Sequence, residues 1–173
     1  MQKPDEIEAI AREVANNFHD FWGPGSQAKT RRFEQALGEK FKKRFGEKAF
    51  IAQQKWEPKP TSVAKQKCEP EQTSWAFDFY FPGDYMAVEI ALSGHTSGTE
   101  FFKDLWKVML ARQPDSNIPV QTLLIIGKSG IVKRLKEPFP ASIMNLCKGL
   151  GFNVDVRGIS QTQRKASTGT VSS

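Results

Sequence analysis

The chain has 173 residues, of which 39% are hydrophobic, 25% charged and 11% aromatic. That is the balance of one globular domain able to build a core without disulfide or metal staples. A formal net charge of +6 and a pI near 9.4 admit a polyanionic partner without requiring one. No apolar run approaches the roughly 20 residues of a membrane helix. Cys68 and Cys147 are unlike a disulfide framework, and no Cys/His spacing suggests zinc. The expectation is a soluble cytoplasmic protein with reduced thiols.

The acidic, amphipathic start (Asp5, Glu6, Glu8) is unlike a secretion signal. Ile7, Ile10, Ala11, Val14, Phe18 and Phe21 fall at helical spacing and predict a helix over 5–21. Gly23-Pro24-Gly25 breaks it, and Ser26 is placed to cap a second helix that Gly46 ends. That helix has an apolar stripe of Phe33, Leu37, Phe41 and Phe45, with Arg31, Arg32, Lys42 and Lys43 on the opposite face. A strand is expected over 50–56 and a proline-bearing loop over 57–72. Two alternating strands follow, over 73–81 and 85–92, joined at Pro82-Gly83-Asp84.

Beyond a Gly/Ser loop over 93–98, Ser97 and Glu100 match a capping box. The helix they start should run to about Arg112, with Phe101, Phe102, Leu105, Val108 and Met109 inward. A buried strand over 120–127, a helix over 140–150 and a strand over 152–156 complete one domain over 1–160. The Ser/Thr/Lys-rich segment 161–173 is expected to be disordered. This order predicts an α/β fold with a mixed central sheet flanked by helices.

The two alternating strands are the most informative feature. If Gly83-Asp84 is a two-residue turn with Gly83 at positive φ, Phe77 faces Ile90 and Asp78 faces Glu89. Trp75, Phe77, Phe79 and Phe81 then share one face. Asp78 and Glu89 share the other, beside Ala76, Ala87 and Ala91. Like charges facing each other across a hairpin repel. A divalent cation removes that repulsion, and Mg²⁺ favours one or two carboxylates plus water and phosphate oxygens. The competing readings are a solvated sheet face with two acids, or a raised pKa on one of them.

Asp78-Phe79-Tyr80, then Val88-Glu89-Ile90-Ala91, then a helix containing Phe102-Lys103-Asp104-Leu105, resembles the core of the PD-(D/E)xK nucleases, and type II restriction endonucleases in particular. The resemblance covers about residues 73–127 and rests on a short, degenerate motif. It implies a restriction-endonuclease-like fold and Mg²⁺-dependent hydrolysis of double-stranded DNA, with Mn²⁺ as a substitute and a homodimer to cut both strands. It implies that Asp78, Glu89 and the Ile90 carbonyl hold the metal, with Glu34 as a supporting acid from an early helix. Ala91 stands where the family usually has lysine. Either a basic group comes from elsewhere, or the domain is inactive and only binds nucleic acid, or the alanine was introduced. Lys103 is the first candidate for a relocated lysine, although helix geometry turns it outward.

Several further groups have two readings each. Arg31, Arg32, Lys42, Lys43, Lys128, Lys133, Arg134 and Lys136 could contact phosphates, or be an ordinary solvated charge run. His95, just past Glu89, could reach a base edge or simply occupy a loop. Gly127-Lys128-Ser129-Gly130 lacks the spacing of a phosphate-binding loop and a helix after it. Cys147 and the aromatic strand read as core. An unrelated fold serving protein interaction remains the third alternative.

Overall fold

The computed structural model describes residues 2–18, 27–56, 75–92, 98–114, 116 and 118–160. Two helices, α1 (Lys3–Asn17) and α2 (Gln27–Phe45), precede the strands β1 (Ile51–Trp56), β2 (Trp75–Phe81) and β3 (Met86–Ala91). Helix α3 (Gly98–Ala111) leads to β4 (Thr122–Lys128), and α4 (Ser129–Leu135) and α5 (Pro138–Gly149) lead to β5 (Asn153–Ile159).

The strands lie side by side in chain order. β2 runs antiparallel to both of its neighbours, β1 and β3, whereas β3, β4 and β5 run parallel. Connection length explains the reversal from β2 to β3 and the parallel pairs that follow. A four-residue turn can only reverse the chain, and parallel neighbours need a crossover element. Successive crossovers of one hand, advancing in one direction, put their helices on one face of the sheet. There α3, α4 and α5 supply Phe101, Leu105, Val108, Ile131, Leu135 and Cys147, packed with Ala87, Ala91, Leu123 and Ile125. The other face is left for α1 and α2, whose Ile7, Ala11, Phe33, Leu37 and Phe41 pack with Phe79, Phe81, Val88, Leu124 and Ile126. Layers on both sides explain why every residue of β3 is buried.

The β2–β3 register is as expected: Phe79↔Val88, Tyr80↔Ala87 and Phe81↔Met86. The turn that sets it is different. Pro82–Asp84 forms one 3-10 turn, closed by the Tyr85 N–H donating to the Pro82 carbonyl at 3.3 Å. Tyr85, not Gly83, takes the left-handed conformation, at φ 49°. Proline pre-sets the φ that such a turn needs at its start.

Four further expectations are corrected. Phe77 leaves the face of Phe79 and Phe81 and joins the core beneath α3. Phe102 is 38% exposed rather than inward. Helix α4 was not anticipated, so a helix does follow Gly127-Lys128-Ser129-Gly130. β5 extends to Ile159 because its parallel ladder continues to Lys128↔Ile159. The expected loop at 57–72, the Ser97 cap, His95 and the tail 161–173 lie outside the described residues. No helix among the described residues is long and apolar enough to cross a membrane.

Candidate active site

The site forms where the regular ladder fails. β1 and β2 pair at Ala52↔Phe79 and Gln54↔Phe77, but the rung between them, Gln53 and Asp78, is missing. Gln53 holds a left-handed φ of 50°, a conformation that costs a non-glycine residue about 1–2 kcal/mol. On the other side, the β2–β3 ladder stops at Phe79↔Val88. Asp78 is therefore free of both neighbouring ladders. Its carboxylate accepts a hydrogen bond from the Ile90 N–H at 2.8 Å, in the place of the next backbone rung.

That position lets Asp78 interact with groups on both faces of the sheet. Toward α2, the Gln53 amide donates at 3.4 Å to Asp78 and at 3.4 Å to Glu34. Toward α3, the Asp78 carboxyl meets that of Glu89. Glu89 is 5% exposed and accepts from the Lys107 ammonium at 2.8 Å. Lys107 also pairs with Asp104, one helical turn back, at 3.0 Å.

Two carboxyl groups, Glu89 and Asp104, thus share the Lys107 ammonium, and Asp78 and Glu34 lie within reach of its charge. Burial first, then the neighbouring Asp78, raises the Glu34 pKa from 4.5 to about 7. Burial, Asp78 and Asp104 push Glu89 well above the usual carboxylate range, against the pull of Lys107. Asp78 and Asp104 are raised too, chiefly by burial. The lysine pKa is raised as well, which for an amine favours the charged form. Its two carboxylate partners outweigh desolvation, so it stays charged.

An open groove of about 730 Å³ between α2 and β1 leads to Asp78 and Glu34, with Arg31, Gln53 and Lys55 on its walls. The anticipated residues are placed as follows. Asp78 meets Glu89 on one side and shares the Gln53 amide with Glu34 on the other. Ile90 contributes its N–H to Asp78. Ala91 is packed in the core beneath α3, 9% exposed, with no polar group to offer. Lys103 points to solvent, 54% exposed, 3.9 Å from Glu100.

The basic residues do not make one surface. Arg31 lies close enough to Glu34 to lower its pKa. Lys29 approaches Lys128, whose pKa is lowered by burial and then by that neighbour. Arg32 stacks over Phe18. Together Lys29, Arg31, Arg32 and Lys128 lie around the start of α2. Lys43 is about 18 Å along that helix from Arg31, whereas Lys42 lines the same groove as Arg31 and pairs there with Glu47 at 2.7 Å. Lys133 and Arg134 are exposed on α4, across the sheet. Gly127 serves packing: a Cβ there would lie 3.0 Å from the Ala91 carbonyl oxygen.

Lys107, Asp104, Gln53 and Lys29 were not anticipated. Only Asp104 and Lys107 carried a usable signal, an acid–base pair at helical spacing beside the stripe of Phe101, Leu105 and Val108. Comparison with known protein families, curated proteins and solved structures gives no match.

Proposed function

We propose that this protein is a metal-dependent endonuclease acting on double-stranded DNA, with a restriction-endonuclease-like fold and a catalytic lysine supplied by α3. The observation that carries the reading is the meeting of half-buried Asp78 with buried Glu89, the Lys107 ammonium lying 2.8 Å from Glu89. Ala91 cannot supply the base that its position would normally hold. Lys107 brings an ammonium to the same glutamate from the neighbouring helix.

The donor set fits a hard divalent cation. Two carboxylates meet, both with pKa values raised by burial, and a cation would relieve that cost. Oxygen donors of this kind suit Mg²⁺ or Mn²⁺. Among the described residues no three acidic, histidine or cysteine side chains converge tightly enough to hold an ion by themselves. A site of two carboxylates completed by backbone and solvent oxygens does not need a third. When bound, the ion would activate water and stabilise charge on the scissile phosphate. The chain's own groups do the rest. Gln53 orients Asp78 and Glu34, Lys107 offers a fixed positive charge, and Lys29, Arg31, Arg32 and Lys128 attract phosphates. Each domain has one such site, so cutting both strands calls for a homodimer.

The test is plasmid cleavage with Mg²⁺, Mn²⁺ or EDTA, run for the native chain, Asp78→Asn and Lys107→Met. Metal-dependent cleavage lost in both variants, with folding intact, supports the reading. Cleavage untouched by Asp78→Asn sinks it. Salt-sensitive DNA binding with no cleavage in either metal would instead indicate a binding domain without chemistry.

A further inference from the structure

Lys107 is unusual in having two carboxylate partners with little access to water. Glu89 and Asp104 lie 2.8 and 3.0 Å from its ammonium, and the Lys107, Glu89 and Asp104 side chains are 14%, 7% and 14% exposed. The two partners differ in kind. Asp104 belongs to the same helix as Lys107, three residues earlier, so helix geometry alone keeps that pair together. Glu89 belongs to β3 and also faces Asp78. A metal ion held by Asp78 and Glu89 and the Lys107 ammonium would compete for the same glutamate. Drawing the ammonium off Glu89 without a replacement partner would strand a buried charge. Asp104 is such a partner, already in contact.

We propose that Lys107 is a placeholder cation: its ammonium neutralises Glu89 in the metal-free protein, and entry of a divalent ion at Asp78 and Glu89 leaves the ammonium paired with Asp104 alone. This rests on the metal-site reading above. It adds a competition between a protein cation and the metal, and it gives Asp104 a positioning role. If Lys107–Glu89 were only a structural ion pair, losing the lysine would leave Glu89 less well placed, and metal binding would weaken or stay the same. A placeholder predicts the opposite sign.

The experiment is calorimetric titration of Mn²⁺ into the native chain, Lys107→Met, Asp104→Asn, the double variant and Asp78→Asn, with melting curves with and without Mn²⁺. Lys107→Met should bind Mn²⁺ about tenfold more tightly, the usual scale of coupling between neighbouring sites. Mn²⁺ should also raise its melting temperature more than that of the native chain. Asp104→Asn should bind about tenfold more weakly, and that loss should vanish in the double variant, because Asp104 acts through the lysine. Lys107→Gln, which keeps a polar contact to Glu89, repeats the test if the methionine variant does not fold. Equal or weaker binding by both Lys107 variants overturns the placeholder, as does an Asp104→Asn loss that persists without the lysine. Those results, with binding still abolished by Asp78→Asn, would leave the metal site standing. No Mn²⁺ binding by the native chain or either Lys107 variant would remove both.

Discussion

The Asp78 carboxylate accepts the Ile90 N–H at 2.8 Å where the β2–β3 ladder has just ended. A side chain there does the work of a backbone carbonyl, so the residue has a structural and a chemical task that can be separated. Asparagine can accept the same bond through its amide oxygen but carries no charge. Alanine leaves the N–H without a partner, at a cost of about 1–2 kcal/mol. Urea melts should show Asp78→Asn at least as stable as the native chain, since repulsion with Glu89 is relieved, and Asp78→Ala less stable. Both should lose cleavage by more than about a hundredfold, beyond the loss expected of an outer partner. An asparagine variant less stable than the alanine one would show that the bond to Ile90 has little structural weight.

Glu34 provides a pH signature. Its folded pKa is raised from 4.5 to about 7, by burial and then by Asp78. A carboxyl whose pKa is raised on folding binds its proton more tightly in the native state. Stability therefore falls as pH rises from about 4.5 to 7 and gains nothing back above that. After allowance for partial solvent screening, the effect is on the order of 2 kcal/mol. Glu34→Gln should remove this slope, and Mn²⁺ should flatten it in the native chain by favouring the charged carboxylates. Melting temperatures across pH 4.5–8 decide it. An unchanged slope in the glutamine variant would assign the pH dependence to Glu89 or Asp104.

Much of this site was legible before the fold was known. Alternation on two strands joined by an assumed two-residue turn paired Phe79 with Val88 and brought Asp78 toward Glu89; the register held although the turn is a 3-10 turn, because a one-residue slip would have buried the wrong face. Glu34 came from the family resemblance, which implies a supporting acid on an early helix, and from its place beside the Phe33/Leu37/Phe41 stripe. The missed features arise where alternation breaks down. No pattern announces that Asp78 turns into the gap between strands, that Phe77 changes face, or that Gln53 adopts a left-handed φ. Lys107 was lost to a rotation. Including Phe102 in the inward stripe of α3 turned the helix so that Asp104 and Lys107 faced away, although Met109 does pack against the core. Helix α4 was hidden by its charges, although Ile131, Val132 and Leu135 carried the one-turn apolar spacing.

Ala91 separates two explanations of its missing lysine. It is buried beneath α3, and a Cβ added at Gly127 would lie 3.3 Å from its own Cβ and 3.0 Å from its carbonyl oxygen. β3 and β4 approach closely here, and Glu89 already has an ammonium. Ala91→Lys should therefore destabilise the fold by about 1–3 kcal/mol, as overpacking does, and should not increase cleavage. Gly127→Ala should cost a similar amount through the same contact. Cleavage that appears only with Ala91→Lys would mean that Lys107 does not replace the strand lysine.

The basic residues divide by position rather than by count. Arg31 neighbours Glu34 and lines the groove that leads to Asp78, so a phosphate reaching the site passes it. Lys43 lies on the last turn of α2 and Lys133 on α4, both away from the acids. For a duplex bound in Ca²⁺, each lost phosphate contact lowers the salt slope of binding by about 1. Arg31→Ala should show that reduction and a weaker affinity across unrelated sequences, while Lys43→Ala and Lys133→Ala leave the slope unchanged. Fluorescence anisotropy over a range of salt concentrations measures it. Equal reductions from all three would mean that the duplex lies across a diffuse basic surface and not along the α2 rim, and the groove would lose its role in guiding DNA to Asp78.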